Sequence, residues 1–174
     1  MNTSMNRRYQ ETEERIGQAF TKLLSVKQYY TITVQDICNY AQISRPSFYS
    51  HYDDIHDLLE HMEQEKGVQI QDLLISDDSL SVDSFERYFS FLKENRGFYL
   101  AYLTVSDRGT VTNDLMEAFL HTHNISPNDR IHYQMLFFMA GLKSIACRWL
   151  LDDCRAPIRL LSQIAYDQYK ALFL

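Results

Sequence analysis

Apolar residues recur at helical spacing along almost the whole chain. In residues 8–26, Ile16, Ala19, Phe20, Leu23 and Leu24 form one stripe, which predicts a first helix. Val34, Ile37, Cys38 and Ala41 stand at i, i+3, i+4 and i+7, the apolar face of a second. Two local signals mark its start. Thr33 precedes it with Asp36 three residues later, the capping-box spacing, and Ile32 with Ile37 stands at the staple spacing. Ser44 repeats the design for a short third helix, with Ile43 and Phe48 as its staple pair. Pro46 falls in the first turn of that helix, where a missing N–H costs little. About three residues separate the second and third helices, the connection length of a helix-turn-helix. Tyr52, Asp53 and Asp54 end the third helix, and either Asp53 or Asp54 caps a long fourth one over residues 54–75. Its inward side is expected to hold Ile55, Leu58, Leu59, Met62, Val68 and Leu73.

Beyond a polar stretch at residues 76–81, Phe85, Tyr88, Phe89 and Leu92 predict another helix, and a short one follows from Phe98. Asn95, Arg96 and Gly97 punctuate the two, with Gly97 suited to a left-handed C-cap. Leu115, Met116, Phe119 and Leu120 mark a further helix. Residues 131–151 carry two adjacent stripes. One is Met135, Phe138, Met139, Leu142, Ile145, Ala146 and Trp149. The other is Phe137, Ala140, Gly141, Ser144, Arg148 and Leu151. A helix apolar around most of its girth is buried on more than one side. Gly141 in its middle costs about 1 kcal/mol relative to Ala, a cost that close approach of another helix would offset. The last helix, with Leu160, Leu161, Ile164, Ala165, Tyr169, Leu172 and Phe173, is again broadly apolar. One body cannot easily cover both helices, whereas a symmetric four-helix contact between two copies would. The expected homodimer contact therefore lies within about residues 129–172 and uses Phe137, Ala140, Gly141, Ser144, Arg148, Leu161, Ile164 and Tyr169.

Composition agrees with an all-helical chain. Only 5 Gly and 3 Pro occur in 174 residues, too few for the many turns of a β-rich fold. No apolar run reaches the length of a membrane span, and the N-terminus has no apolar core after its basic residues, unlike a signal peptide. The 3 cysteines, with no CxxC spacing, read as buried thiols of a cytoplasmic protein. A net charge of −6 argues against a general nucleic-acid coat. Its distribution is uneven, however. Residues 1–52 hold six cations (Arg7, Arg8, Arg15, Lys22, Lys27, Arg45) against four carboxylates (Glu11, Glu13, Glu14, Asp36), a net +2 that leaves −8 for the remainder.

The short third helix offers Arg45, Ser47, Tyr49, Ser50 and His51, donor-rich side chains on a rigid rod, as a major-groove reader requires. In the body, Phe98, Tyr99, Tyr102, Met116, Phe119, Phe137 and Met139 read equally as packed core or as the lining of a pocket for a small apolar or aromatic effector. Glu117, His121 and His123 read as a solvated helix end, because no third metal ligand has diagnostic spacing. Arg148 is expected to pair with an acidic residue of its own body. No Gly-rich phosphate loop, nucleophile elbow or paired-histidine metal motif is present, so neither an enzyme nor a cofactor is expected. A helical adaptor that binds another protein through its apolar end helices is the competing class.

The span 33–59 resembles the TetR (tetracycline-repressor-like) family of one-component transcription regulators. The resemblance rests on the capped helix with Ile37 and Ala41, then Ile43-Ser44-Arg45, then Phe48-Tyr49 with His51-Tyr52, then Leu58-Leu59. The body phrases Phe91-Leu92-Lys93-Glu94-Asn95-Arg96 and Gly141-Leu142 through Trp149-Leu150 resemble one body type of that family more loosely. The resemblance implies an all-α protein with a three-helix DNA-binding domain over 1–52 and a helical ligand-binding and dimerisation domain over 53–174. It implies double-stranded DNA as partner, a homodimer on a palindromic operator, and a repressor released by an effector. It places the DNA contacts on Thr33, Gln35, Arg45, Pro46, Ser47, Tyr49, Ser50 and His51. Arg45 is the best candidate for a bidentate contact to guanine. Thr33, Ser47, Tyr49 and His51 would mostly hold phosphates and set register. Two departures stand out. Gln42 replaces the glycine usual in the turn, so it must accept that backbone shape. Ile55 replaces a lysine that anchors a phosphate at the start of the linking helix.

Overall fold

The computed structural model describes residues 3–75, 80–105, 126 and 129–173. Among them there are eight α-helices and no strand. They are α1 (Thr3–Leu24), α2 (Val34–Ala41), α3 (Arg45–Tyr49), α4 (Ile55–Ile75), α5 (Val82–Glu94), α6 (Arg96–Val105), α7 (Arg130–Leu151) and α8 (Ile158–Lys170). By its contacts the chain divides into two compact units, Met1–Glu63 and Gln64–Leu174, and α4 runs from the first into the second.

In the first unit α1 packs on α2, and α2 on α3. Ile16, Ala19, Phe20, Leu23 and Leu24 are all buried, as are Ile37, Cys38, Ala41 and Phe48. Helix α1 stops short of residue 26 because the Ser25 hydroxyl donates to the Lys22 carbonyl (2.7 Å) and the chain turns away there. Leu58, Leu59 and Met62 of α4 are buried in this unit, and Met62 Cε stands 4.0 Å from where a Cβ on Gly17 would sit. Asp54 caps α4: its Oδ1 accepts from the His56 and Asp57 N–H groups at 2.7 and 2.9 Å.

In the second unit α5 packs mainly on α8, and α6 on α7. Phe89 meets Trp149 edge-on at 5.5 Å, and Phe85 meets Phe138 at 6.2 Å. Arg96 donates to the Leu150 carbonyl (3.0 Å), and Trp149 Nε1 donates to the Ala156 carbonyl (2.9 Å); together they hold the turn after α7. Two expectations are corrected. Val68 is 58% exposed and Ile70 and Leu74 are buried instead, because Ile70 and Leu74 continue the four-residue step from Met62 side of α4 while Val68 lies off that face. Gly97 is no left-handed cap: Asn95, at φ −104°, ends α5, and Gly97 lies in the first turn of α6. A second helix begins so soon after the first that one residue suffices to turn the chain.

Candidate nucleic-acid interface

The two motif helices are built as their caps require. The Thr33 hydroxyl accepts from the Asp36 N–H (3.1 Å), and Asp36 reaches back to the Thr33 N–H (2.9 Å). Lys27 at 2.9 Å, then the Thr33 hydroxyl and N–H, hold the Asp36 carboxyl down at about 2, so it stays ionised at neutral pH. Ser44 accepts from the Ser47 N–H (3.2 Å), and Pro46 takes the first turn of α3. Between the helices Gln42 sits at φ 53°, ψ 49°, the left-handed shape that glycine adopts without a steric penalty. Arg15 of α1 donates to the carbonyls of both Ala41 and Gln42, the latter at 2.9 Å. Nothing in the local spacing of the sequence marks Arg15 for this contact.

Arg45, Pro46 and Tyr49 form an exposed ridge on α3, and Thr33 and Gln35 are exposed at the start of α2. Arg45 makes no ion pair among the described residues. Its guanidinium donates to Tyr49 Oη (3.3 Å) and lies 5.9 Å from the centre of that ring. The forked donors of Arg45 are thus oriented by the Tyr49 hydroxyl and, among the described residues, committed to no carboxylate. Gln35 donates its amide to Asn39 Oδ1 (2.8 Å), and the Thr33 hydroxyl donates to Asp36 (2.8 Å). Ser50 donates to the Ser47 carbonyl (2.7 Å), and Ser47 is half-buried. His51 turns toward α1: its ring stacks on Tyr9 at 3.9 Å, and Nδ1 is buried with no hydrogen-bond partner among the described residues. Burial pushes its pKa below the ordinary value, against the pull of Glu13. His51 is therefore a neutral wedge between α3 and α1 at pH 7, and Tyr9 is its partner. Ile55 is half-buried at the first residue of α4, where Asp53 and Asp54 leave no cation in place of the lysine.

The aromatic residues of the body separate into two groups. Phe98 and Tyr102 stack at 6.2 Å with an interplanar angle of 3°, and Tyr99 is buried beside Phe98. Lys66 Nζ lies 5.4 Å from the Phe98 ring and 5.7 Å from Phe91, and donates to Asn95 Oδ1 (2.7 Å). Desolvation lowers the pKa of this lysine. The apolar pattern that picks out a helix face gave no reason to include it. Phe137 does not join the group: it is 83% exposed. Met139 is half-buried, and Met116 and Phe119 lie outside the described residues, as do Glu117, His121 and His123. Among the described residues no cluster of three His, Cys, Asp or Glu side chains could hold a metal ion.

Around Phe137 the outer face of α7 continues through exposed Ala140 and Ser144, with Gly141 half-exposed. Leu160 and Ile164 of α8 are exposed too. Arg148 pairs with Asp152 at 3.0 Å, an acidic residue of its own body. Leu161 is buried, and Tyr169 packs against Phe85 and Phe138 at 6.4 and 6.0 Å, so both face this subunit's core. A cavity of about 90 Å³ opens between α7 and α8, lined by Phe137, Gly141, Ile145 and Leu172. No described helix is long and apolar enough to cross a membrane.

Among the described residues the chain is all-helical, with a capped helix-turn-helix near the N-terminus and a helical body after it. Its fold is that of the TetR family. A TetR-family transcriptional regulator from Streptomyces coelicolor superimposes with a TM-score of 0.73 at 19% identity, covering 94% of this chain and 80% of that one. The dihydroxyacetone kinase operon activator DhaS superimposes with a TM-score of 0.60 at 18% identity, covering 93% and 94%. The HTH-type transcriptional regulator YxbF of Bacillus subtilis (strain 168) is 25% identical over 174 residues, or 91% of this chain. That alignment takes in 44% of YxbF, so the chain spans less than half the length of this relative. No family model matches the chain.

Proposed function

We propose that this chain is a sequence-specific, DNA-binding transcriptional regulator that grips a palindromic operator as a homodimer. The head over residues 1–52 reads DNA, and the body over 53–174 dimerises and takes an effector. The observation that carries this reading is Arg45, exposed on a capped rod and braced by Tyr49, with no carboxylate among the described residues neutralising it. Arg45 meets guanine in the major groove, Gln35 and Tyr49 supply further donors, and Thr33 reaches a phosphate by turning its hydroxyl away from Asp36. The names of similar proteins support regulation, and DhaS is called an activator. We take repression as the sign here: a dimer on an operator that overlaps a promoter excludes polymerase.

In vitro selection from a random duplex library tests this directly. The full chain should enrich one palindrome with half-sites about 34–36 Å apart, or a multiple of that. Arg45→Ala should then weaken binding to the selected duplex by roughly 1–3 kcal/mol, the value of a good bidentate base contact. It should change affinity for random DNA far less. Tyr49→Phe should weaken both through a lost phosphate contact, and the selected duplex somewhat more, because the same hydroxyl braces Arg45. No enrichment at all would sink the regulator reading; equal loss on all DNA for Arg45→Ala would reassign it to the backbone.

The effector reading is that a small, mostly apolar or aromatic molecule in the body shifts the separation of the two heads through α4. Support comes from the continuity of α4 and from the buried aromatic cluster of the body. A ligand moves such an equilibrium only by its differential affinity for the two states, typically about 1–3 kcal/mol of coupling. Linkage is reciprocal, so operator DNA should weaken ligand binding by the same factor. Calorimetry on a small molecule identified by native mass spectrometry, with and without the selected duplex, measures this. Equal affinities would leave a regulator controlled by its own abundance.

A further inference from the structure

The geometry points to Arg15 as a positioning residue of the DNA-binding head: reaching from α1, its guanidinium locks the left-handed turn at Gln42 and so sets the direction in which α3 leaves α2. The inference rests on the reading of the head as a DNA reader.

Helix α2 ends in a Schellman-type turn. Gln42 and Ile43 both donate to the Cys38 carbonyl, the latter at 3.0 Å, and the residue in the left-handed conformation is Gln42. A side chain with a Cβ is disfavoured there, and this φ is seldom held unless the surroundings over-determine it. Arg15 supplies the determination. Its guanidinium donates to the carbonyls that flank the strained residue, Ala41 and Gln42, and brings a positive charge to the negative end of α2. The position of Arg15 is itself fixed, because the next residue, Ile16, is fully buried. Only Gln42, Ile43 and Ser44 connect the helices, and Ser44 is already extended as the cap of α3. The torsions at Gln42 therefore decide where Arg45, the next residue, points. A chain with glycine in the turn would need no such latch. Here the departure at Gln42 and the contact from Arg15 are two halves of one device.

The device is tested with four full-length chains: wild type, Arg15→Ala, Gln42→Gly and the double variant. All are compared at a temperature where circular dichroism shows each folded. The probes are the duplex recovered by selection and a random-sequence duplex of equal length. Arg15→Ala should lower affinity for the selected duplex about tenfold, equivalent to roughly 1.4 kcal/mol, and leave random DNA within about twofold. Gln42→Gly should restore most of that loss in the Arg15→Ala background, because glycine takes the left-handed shape unaided. An Arg15 that touched phosphate would instead weaken both probes and could not be rescued at Gln42; either result overturns the latch. Should the wild type enrich no sequence, the regulator reading fails while the latch is judged separately. In that case melting temperatures decide: the loss from Arg15→Ala should be smaller with Gly at 42 than with Gln, and equal losses would overturn the latch.

Discussion

Gly141→Arg should leave the subunit folded and run as a monomer in multi-angle light scattering. Within the chain the substitution has room, since a Cβ built on Gly141 meets no neighbouring atom within 4 Å. In a helix interior arginine is even favoured over glycine by roughly 1 kcal/mol. Any effect must therefore arise outside the subunit. The exposed residues beside it on α7, Phe137, Ala140 and Ser144, belong to the face proposed to meet a second copy. On a two-fold contact each substitution enters twice, so two guanidinium groups would be desolvated across one interface without a counter-ion. Operator affinity should fall with the dimer by about 10²–10⁴-fold, because the second head then no longer binds intramolecularly. A variant that stays dimeric would put the contact on another face. Helical circular dichroism equal to wild type would confirm that the subunit itself was spared.

Phe48→Ala should unfold the first unit while the second stays helical. The Phe48 ring is fully buried, meeting Tyr49 edge-on at 5.6 Å and Tyr52 at 5.9 Å. Truncating a buried phenylalanine costs about 3–5 kcal/mol, through lost transfer free energy and the cavity left behind. A unit of this size holds roughly the same total. Thermal melts should show part of the helical signal lost at a far lower temperature than the rest. Binding to selected and random duplexes should vanish together. Arg45→Ala is the control, since an exposed side chain should leave the melt unchanged while still costing specific affinity. A Phe48→Ala chain that melted like wild type would show that α3 is held by something other than this ring.

The contrast between Phe48 and Arg15 marks where the sequence could be read and where it could not. The caps at Thr33, Asp36 and Ser44 were legible because a capping box is closed within three residues, by groups whose distance the helix itself sets. The burial of Phe20, Ile37, Phe48 and Trp149 followed from spacing, since one apolar stripe has one way to face a core. The left-handed Gln42 was legible only beside a family pattern, and Arg15 not at all. Its partners lie 26 and 27 residues away, beyond the end of α1, a connection and all of α2, and an arginine on a polar face looks solvated until α2 is packed against α1. His51 illustrates the same limit: chain pattern offered it to DNA, while packing stacked it on Tyr9. Leu160 and Leu161 are adjacent leucines on an apolar band, and only the docking of α8 on α5 exposed the first and buried the second. The sequence by itself determined which segments are helices, where the motif begins and which residue types stand on α3, because these depend on bonds and periodicities a few residues long. The tertiary structure alone decided which side of a broad stripe is covered and which polar group meets which carbonyl, because those depend on how one rigid helix is rotated against another.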